Sequence, residues 1–202
     1  MSVTVVDTGV ANVASVRRAF ERLGAEVELT ADPERVAGAK RLVLPGVGAF
    51  APARQRLKET GLDEALTRAV AGGARLLGLC LGFQLLFEES HEFGVTRGLA
   101  LLQGRIAPFP EGVRTPHVGW SPLARVGNGG GPMSLVADRS YVYFVHSFRP
   151  EEEDPRDVAA RCDYGGGFAA VVRRGNVWGC QFHPEKSSDV GRAILRAFLE
   201  QP

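Results

Sequence analysis

Cys80 lies in a segment whose residue types suit a reactive thiol. Residues 78–82 read Gly-Leu-Cys-Leu-Gly, with an apolar run before them and a helical pattern after them. This order is typical of a sharp strand-to-helix elbow, in which small residues two positions either side of the nucleophile avoid steric clashes. The positive end of the helix dipole favours a thiolate there. The alternative is that Cys80 is a small buried hydrophobe, which is a common role for a single cysteine.

A histidine and a carboxylate lie two residues apart in residues 181–185, which read Gln-Phe-His-Pro-Glu. Extended backbone places His183 and Glu185 on one face of the chain. Pro184 fixes its own φ and keeps His183 out of the helical region, so that Glu185 can orient the imidazole. If this pair meets Cys80 at the carboxyl edge of a parallel sheet, the three residues form a triad for nucleophilic catalysis.

The remaining histidines and cysteines carry weaker signals. His91 follows a run of acidic residues, and we interpret it as a solvated surface residue. For His117 and His146, a hydrogen-bonded core position and a position at a ligand site are both open. Cys180 lies in mid-strand without flanking glycines at the elbow positions, so we expect it in the core.

Two hydrophobic periodicities predict the elements that position these side chains. The first half alternates β-branched runs with helical patterns, which is typical of βα units, and short strands with Gly and Pro turns follow Gly98. We predict an open, mixed, mostly parallel α/β sheet with helices on both faces, flavodoxin-like, and antiparallel strands in the second half. The predicted strands cover 3–6, 27–29, 42–44, 74–79, 99–106, 141–148, 158–161, 168–173 and 177–182. The predicted helices cover 13–23, a short stretch from 32, 51–72 as one or two helices, 81–89 and a last stretch from 188 or 189.

Composition limits the classes of function. The chain has 202 residues, of which 45% are hydrophobic and 23% charged, and we expect one domain over residues 1–202. Because 24 Lys and Arg balance 23 Asp and Glu, we expect neither nucleic acid nor a membrane as partner. Three cysteines without paired spacing, and an amino terminus that runs straight into a strand pattern, favour a reduced, cytoplasmic protein. No cofactor or metal is predicted.

Three ordered motifs carry a resemblance to a known family. They are Pro-Gly-Val-Gly at residues 45–48, Gly-Leu-Cys-Leu-Gly-Phe-Gln at 78–84 and Phe-His-Pro-Glu at 182–185. With these motifs the chain resembles the triad (class I) glutamine amidotransferases over nearly its whole length. Their fold would be the predicted mixed α/β sheet.

Further segments are similar to one branch of that family, in which ammonia serves a cyclase subunit in histidine biosynthesis. These segments are residues 7–12, Pro-His-Val-Gly-Trp at 116–120 and His-Pro-Glu-Lys-Ser at 183–187. One departure is Ser121, where we expect asparagine after the tryptophan. The local hydrogen bonding at that position is therefore open.

The resemblance implies a reaction and a partner. Glutamine would be hydrolysed to glutamate and ammonia, and the ammonia would pass to a cyclase subunit of (βα)₈ barrel fold that makes imidazole glycerol phosphate and AICAR. The two subunits would form a heterodimer. Cys80 would attack the amide carbon, His183 would move the proton between thiol and ammonia, and Glu185 would fix the imidazole tautomer.

The resemblance also implies roles for residues around the triad. The expected oxyanion donors are backbone amides of Leu81 and of Val47 or Gly48, in a loop whose glycines allow a peptide flip. The expected substrate contacts are Gly46, Gln84, Glu92, Ser147 and Phe148. The expected partner-facing residues are Asn12, His117 and Trp120. Surface polar residues for Gln84 and Glu92, and a core position for Trp120, remain the alternatives.

Three other functions remain open from the sequence alone. The ammonia could serve another synthase, for anthranilate, aminodeoxychorismate, GMP or pyridoxal phosphate. A cysteine hydrolase of peptides or γ-glutamyl conjugates could use the same elbow and the same Cys-His pair. A non-enzymatic binding protein could retain the fold, since fold alone does not prove activity. The intact triad argues against the last.

Overall fold

The elements of the computed structural model, which describes residues 1–9, 12–127 and 131–201, follow the two periodicities. The first half contains β1 (Ser2–Val6), α1 (Val13–Glu21), β2 (Glu26–Thr30), α2 (Pro33–Gly38), β3 (Arg41–Gly46), α3 (Phe50–Glu59), α4 (Leu62–Ala71), β4 (Arg75–Cys80) and α5 (Leu81–Gln84). The second half contains β5 (Glu89–Ser90), β6 (Thr96–Arg97), β7 (Arg105–Pro108), β8 (His117–Arg125), β9 (Tyr141–His146), β10 (Phe148–Glu151), β11 (Val158–Cys162), β12 (Phe168–Arg174), β13 (Val177–Cys180) and α6 (Ser188–Glu200). Short 3₁₀ helices cover Gly131–Met133 and Pro184–Lys186.

The strands form a large mixed sheet and a small one. The large sheet has nine strands in the order β2-β1-β3-β4-β13-β12-β11-β8-β9. Strands β2, β1, β3, β4 and β13 are parallel, and every pair from β13–β12 outward is antiparallel. The small sheet has the order β10-β7-β5-β6. The predicted open, mixed α/β fold with a late antiparallel part is confirmed.

Helices cover both faces of the large sheet, each over its own apolar cluster. On one face Phe20 of α1 and Phe198 of α6 make an edge-to-face contact with ring centroids 6.4 Å apart. On the other face, side chains of α2 to α5 pack together, among them Leu57, Leu66 and Phe83. Burial of a large apolar side chain contributes about 1.5–3 kcal/mol to the stability of the fold. These clusters therefore keep in place the strands whose ends carry the site. Among the described helices, none is both long and apolar enough to span a bilayer.

Two segments differ from the sequence prediction. The helix expected over 81–89 ends at Gln84, because the amides of Leu99 and Leu101 donate to the carbonyls of Leu85 and Leu86, both at 2.8 Å. A longer helix would need those carbonyls for its own hydrogen bonds. This wrapped segment also replaces most of the predicted strand 99–106, of which only β7 forms.

Strand β8 was not predicted. Although it contains proline and glycine, which are uncommon inside strands, nine residues form a strand that pairs with β9 from His117↔His146 to Pro122↔Tyr141. Gly119 supplies a φ of 132° within it, which a residue with a side chain rarely adopts. Cross-strand pairing with an apolar neighbour therefore outweighs the local preference for a turn.

Candidate active site

The nucleophile elbow forms as predicted at the carboxyl end of β4. Cys80 has φ 52° and ψ −109°, a strained conformation for a residue with a side chain, of the kind that clusters at active sites and costs about 1–3 kcal/mol. A Cβ on Gly82 would overlap the carbonyl oxygen of Leu44 in β3, and one on Gly78 would lie 2.8 Å from the carbonyl oxygen of Gly82. The flanking glycines are therefore required by close backbone approach.

Cys80, His183 and Glu185 meet at the edge between β4 and β13. Nδ1 of His183 lies 2.8 Å from Oε1 of Glu185, and the Cys80 side chain is close enough to the imidazole to raise its pKa. Since a carboxylate only accepts, Nδ1 carries a proton and Nε2 is the atom left for the thiol. Burial lowers the pKa of His183, but the hydrogen bonds and charges of Cys80 and Glu185 outweigh it and raise this pKa to about 9. The arrangement stabilises the imidazolium form of His183.

Backbone contacts fix the turn that carries the histidine. The amide of His183 donates to the carbonyl of Tyr143 in β9 at 3.1 Å. The buried hydroxyl of Ser187 donates to the carbonyl of His183 at 2.7 Å and accepts from the amide of Tyr143 at 3.0 Å. Gly191 in α6 packs directly on Pro184, where a Cβ would overlap the Pro184 carbonyl. These contacts pre-organise the base with respect to the nucleophile.

The glycine loop after β3 lies against the elbow. The backbone of Gly46 faces that of Gly82, and a Cβ on Gly46 would lie 2.8 Å from the Gly82 amide nitrogen. Val47 is exposed, and Gly48 has φ 96° with open space where a side chain would be. A cavity of about 20 Å³ joins Gly46 and Val47 to His183. The loop is thus placed where its amides could reach an oxyanion, as could that of Leu81 at the start of α5.

Gln84 and Phe148 are linked to the nucleophile through Gln181. The Gln84 amide group donates to the carbonyl of Phe148 and to Oε1 of Gln181, both at 3.0 Å. Nε2 of Gln181 in turn lies 4.0 Å from Sγ of Cys80, and the Val145 carbonyl lies 3.9 Å from the same sulfur. Gln84 is therefore a buried residue of the site and not an exposed helix residue.

Gln181 was not predicted as a site residue. Its signal in the sequence was a polar side chain at the end of an otherwise apolar strand, directly before the Phe-His-Pro-Glu motif. Its side chain is fully buried, and a buried amide needs hydrogen-bond partners, which Gln84 and Cys80 supply.

Glu92 and Ser147 lie at the margins of the site. The Glu92 carboxylate accepts a hydrogen bond of 2.6 Å from the amide of Phe50, the first residue of α3. It therefore caps the helix that follows the glycine loop, a structural role that the sequence did not indicate. Ser147 is half-buried between β9 and β10. A substrate contact for either residue stays a prediction.

The three residues predicted to face a partner separate into two groups. Asn12 is exposed at the start of α1, and Trp120 is 49% exposed on β8. His117 is 3% exposed and occupies the core position that the sequence left open, so a partner contact of its side chain stays a prediction. Its ring stacks on Tyr164 at a centroid distance of 3.9 Å, because its strand turns that face inward. A buried histidine needs hydrogen-bond partners, and the polar groups around His117 in the core supply them.

The other cysteines and possible metal ligands do not add a second site. Burial raises the pKa of Cys162 to about 12 and raises that of Cys180 further. Among residues 1–9, 12–127 and 131–201, no three His, Cys, Asp or Glu side chains are grouped as metal ligands would be.

Comparison with protein families decides the relationship. The family model of class I glutamine amidotransferases matches residues 4–201. The chain belongs to this family. The resemblance predicted from the three motifs is confirmed, and the elbow, the glycine loop and the His-Pro-Glu turn of this amidotransferase are the parts of the molecule that carried it.

Individual relatives narrow the position of this amidotransferase within the family. A HisH subunit of imidazole glycerol phosphate synthase from Rhodopirellula baltica is 41% identical over 202 residues, covering 99% of this chain and 98% of that protein. The HisH subunit from Symbiobacterium thermophilum is 44% identical over 193 residues, with 96% and 91% covered. The chloroplastic hisHF protein of Arabidopsis thaliana is 44% identical over 201 residues, but the amidotransferase spans only 34% of its length.

Solved structures agree with the fold. A crystal structure described as a glutamine amidotransferase superposes with a TM-score of 0.78 at 24% identity, covering 98% of this chain and 97% of that one. PurLQS from Thermotoga maritima gives a TM-score of 0.77 at 20% identity with the same coverage. At these identities the likeness concerns the fold alone.

Proposed function

We propose that this amidotransferase is the glutaminase subunit of an imidazole glycerol phosphate synthase and hydrolyses glutamine through Cys80, His183 and Glu185. The observation that carries the proposal is the buried His183–Glu185 pair, at 2.8 Å, beside a cysteine in a strained elbow. Bacterial HisH relatives aligned over almost their whole length support the assignment to this synthase rather than to another.

The chemistry proceeds in two stages. The Cys80 thiolate attacks the side-chain amide carbon of glutamine, and the imidazolium of His183 gives its Nε2 proton to the departing ammonia. A glutamyl thioester remains on Cys80. Neutral His183 then takes a proton from water, whose oxygen cleaves the thioester to release glutamate. Glu185 holds Nδ1–H throughout and stabilises each imidazolium.

The oxyanion of both tetrahedral intermediates requires two donors. The amide of Leu81 supplies one, and the amide of Val47 or Gly48 supplies the other. Gly46, Gln84, Glu92, Ser147 and Phe148 hold the rest of glutamine. The loop after Gly46 is exposed and contains a glycine with a positive φ. A partner can therefore control the hydrolysis rate by changing the orientation of a peptide bond in this loop.

The partner is a cyclase subunit of (βα)₈ barrel fold in a cytoplasmic heterodimer. It receives ammonia and makes imidazole glycerol phosphate and AICAR. Asn12, with Lys186, borders the small cavity beside His183, and Trp120 is exposed on the neighbouring β8–β9 pair. Aromatic residues exposed in this way are typical anchors of a protein interface.

Two ammonia sources test the proposal. The chain is combined with the cyclase subunit of a HisH relative, and imidazole glycerol phosphate is measured with glutamine or with ammonium salt as nitrogen donor. We expect Cys80→Ser to abolish product formation from glutamine and to leave that from ammonium unchanged, because a serine hydroxyl lacks thiolate character. Glutamine-dependent turnover by Cys80→Ser would place the nucleophile elsewhere, and no complex with the cyclase subunit would contradict the partner.

A further inference from the structure

A continuous chain of hydrogen bonds runs through two buried histidines beside the triad. His117 and His146 are cross-strand neighbours in the β8–β9 pair and are 3% and 6% exposed. Nδ1 of His117 lies 3.1 Å from Nε2 of His146, and Nδ1 of His146 lies 2.8 Å from the carbonyl oxygen of Phe148. At the other end, Nε2 of His117 lies 2.9 Å from Oγ of Ser121.

The carbonyl at one end fixes every proton in this chain. A carbonyl only accepts, so Nδ1 of His146 carries the proton, and Nε2 of the same neutral ring accepts from Nδ1–H of His117. Nε2 of His117 is then an acceptor, and the hydroxyl of Ser121 must donate to it. A hydroxyl at position 121 is thus a suitable end for the chain of hydrogen bonds, although asparagine was expected at this position.

The two rings are held neutral and in place. Burial lowers the pKa of His117 to about 4 and that of His146 to about 3. The His117 ring lies between Tyr164, at a centroid distance of 3.9 Å, and Phe144, at 4.7 Å, and both contacts are stacked. At neutral pH both rings are uncharged, and the stacked neighbours leave the His117 ring no room to turn. The direction of the hydrogen bonds is therefore fixed.

The chain of hydrogen bonds ends at the wall of the proposed glutamine site. The Phe148 carbonyl accepts from His146 and also from the amide of Gln84, so both of its lone pairs have donors. Gln84 continues to Gln181, which lies beside the sulfur of Cys80. Rotation of the His146 ring would remove one of the two donors that hold this carbonyl.

We propose that His146 is a positioning residue for glutamine: its Nδ1–H holds the Phe148 carbonyl, and with it residues 147–148 and Gln84, while His117 and Ser121 lock its tautomer. The inference rests on the proposed function, since glutamine is taken as the ligand. His146 touches no reacting atom in this assignment. It therefore acts on substrate binding more than on the chemical steps.

Nuclear magnetic resonance of the ¹⁵N-histidine-labelled full chain tests the tautomers without any activity measurement. We expect both His117 and His146 as the Nδ1–H form, the minor tautomer in water, with no titration between pH 5 and 8. Either ring in the Nε2–H form, or protonated within that range, overturns the lock. This result is independent of whether the chain hydrolyses glutamine, so it separates a wrong inference from a wrong proposed function.

Two substitutions at one position test the effect on glutamine. In His146→Asn the side-chain amide nitrogen replaces Nδ1 and can still donate to Phe148, whereas in His146→Gln it replaces Nε2 and cannot. Only His146→Asn loses the partner of His117, because the side-chain amide of His146→Gln can still accept from its Nδ1–H, so the free energy of unfolding is measured for both variants. In complex with the cyclase subunit, we expect His146→Gln to raise KM for glutamine at least about tenfold with kcat within about threefold, and His146→Asn to keep both near wild type. Equal KM values in the two variants would overturn the positioning role.

Discussion

At the scale of single residues, Cys80 differs from the other two cysteines in what surrounds it. All three are buried, but Cys162 and Cys180 lie in the apolar cluster beneath α1 and α6, where burial raises the pKa of both thiols. Cys80 has an imidazolium beside it. Charge at the site, and not exposure, therefore decides which sulfur reacts.

An electrophilic glutamine analogue tests that difference. We expect it to label Cys80 and to leave Cys162 and Cys180 unmodified, because only Cys80 combines a thiolate-stabilising partner with a glutamine site. Mass spectrometry of proteolytic fragments locates the adduct. Cys80→Ser is the matched control and should not be labelled at all, and an adduct on Cys180 in either protein would contradict the assignment.

Three buried histidines make the stability of the fold depend on pH in opposite directions. The pKa of His183 is raised from about 6.5 to about 9, so its stabilisation is complete below pH 6.5 and is lost as pH rises towards 9. The pKa values of His117 and His146 are lowered to about 4 and about 3. Their contribution is complete above pH 6.5 and is lost as pH falls.

Urea denaturation at pH steps from 5 to 9 measures these slopes. We expect the free energy of unfolding to be greatest near pH 6.5 and to fall by on the order of 3 kcal/mol towards pH 9, at about 1.4 kcal/mol for each pKa unit of His183. His183→Asn should lose the alkaline slope and keep the acid one. An unchanged alkaline slope in His183→Asn would show that another group titrates there.

The sequence predicts the chemistry of single residues better than their surroundings. Cys80, His183 and Glu185 each stand in a short motif whose backbone geometry is fixed by glycine or proline, so their positions follow from local rules. For His117 a core position and a position at a ligand site both stayed open, because burial depends on the pairing of β8 with β9, which the local sequence does not encode. Gln181 was missed for the same reason.

At the scale of elements, the loop after β3 is the part that can switch. Gly48 has φ 96°, and a Cβ there would touch nothing, so a larger residue would change backbone preference without filling the pocket. We expect Gly48→Val to reduce the partner-stimulated glutaminase rate by roughly 10² to 10³, the usual effect of losing one oxyanion donor, and the basal rate much less. Glutamate release measures both rates.

Gly73 provides the control for that substitution. It has φ 91° and equally open surroundings, but it precedes β4 at the end of the sheet remote from the site. Gly73→Val imposes comparable backbone strain. It should lower stability without changing the ratio of stimulated to basal rate. Equal losses in both rates of Gly48→Val would mean that the loop only builds the site.

Elements were predictable where local periodicity and tertiary pairing agree. The βα units of the first half follow from alternating patterns, and their strands appear within one or two residues of the predicted bounds. The segment after the elbow was not predictable, because its helix ends where the carbonyls of Leu85 and Leu86 bond to residues 99–102. A hydrogen bond to a distant segment leaves no periodic signal.

At the scale of the whole molecule, the isolated chain should be a poor glutaminase. The triad is assembled, whereas Gln84 is bound to Phe148 and Gln181, and the glycine loop is open to solvent. We expect glutamate release to be very slow from the chain alone and to rise by roughly 10² to 10³ with the cyclase subunit and its ribonucleotide ligand, as an oxyanion donor is restored.

Three parallel assays measure this coupling: the chain alone, the chain with the cyclase subunit, and the complex with ligand. Glutamate release from a Cys80→Ser complex gives the background. Equal rates in all three assays would remove any role for loop switching. That residues 1–202 act as one domain also remains a prediction, and a single cooperative unfolding transition of the isolated chain would support it.

The four-residue seam between β4 and β13, from Val177↔Leu76 to Cys180↔Leu79, joins the nucleophile of one segment to the base of another. A chain opened between residues 111 and 112, which are exposed between β7 and β8, would carry Cys80 on one fragment and His183 on the other. Neither fragment can hydrolyse glutamine by itself. Ammonia production would then report fragment complementation, and the molecule would act as a two-part sensor whose output requires both pieces to meet along this seam.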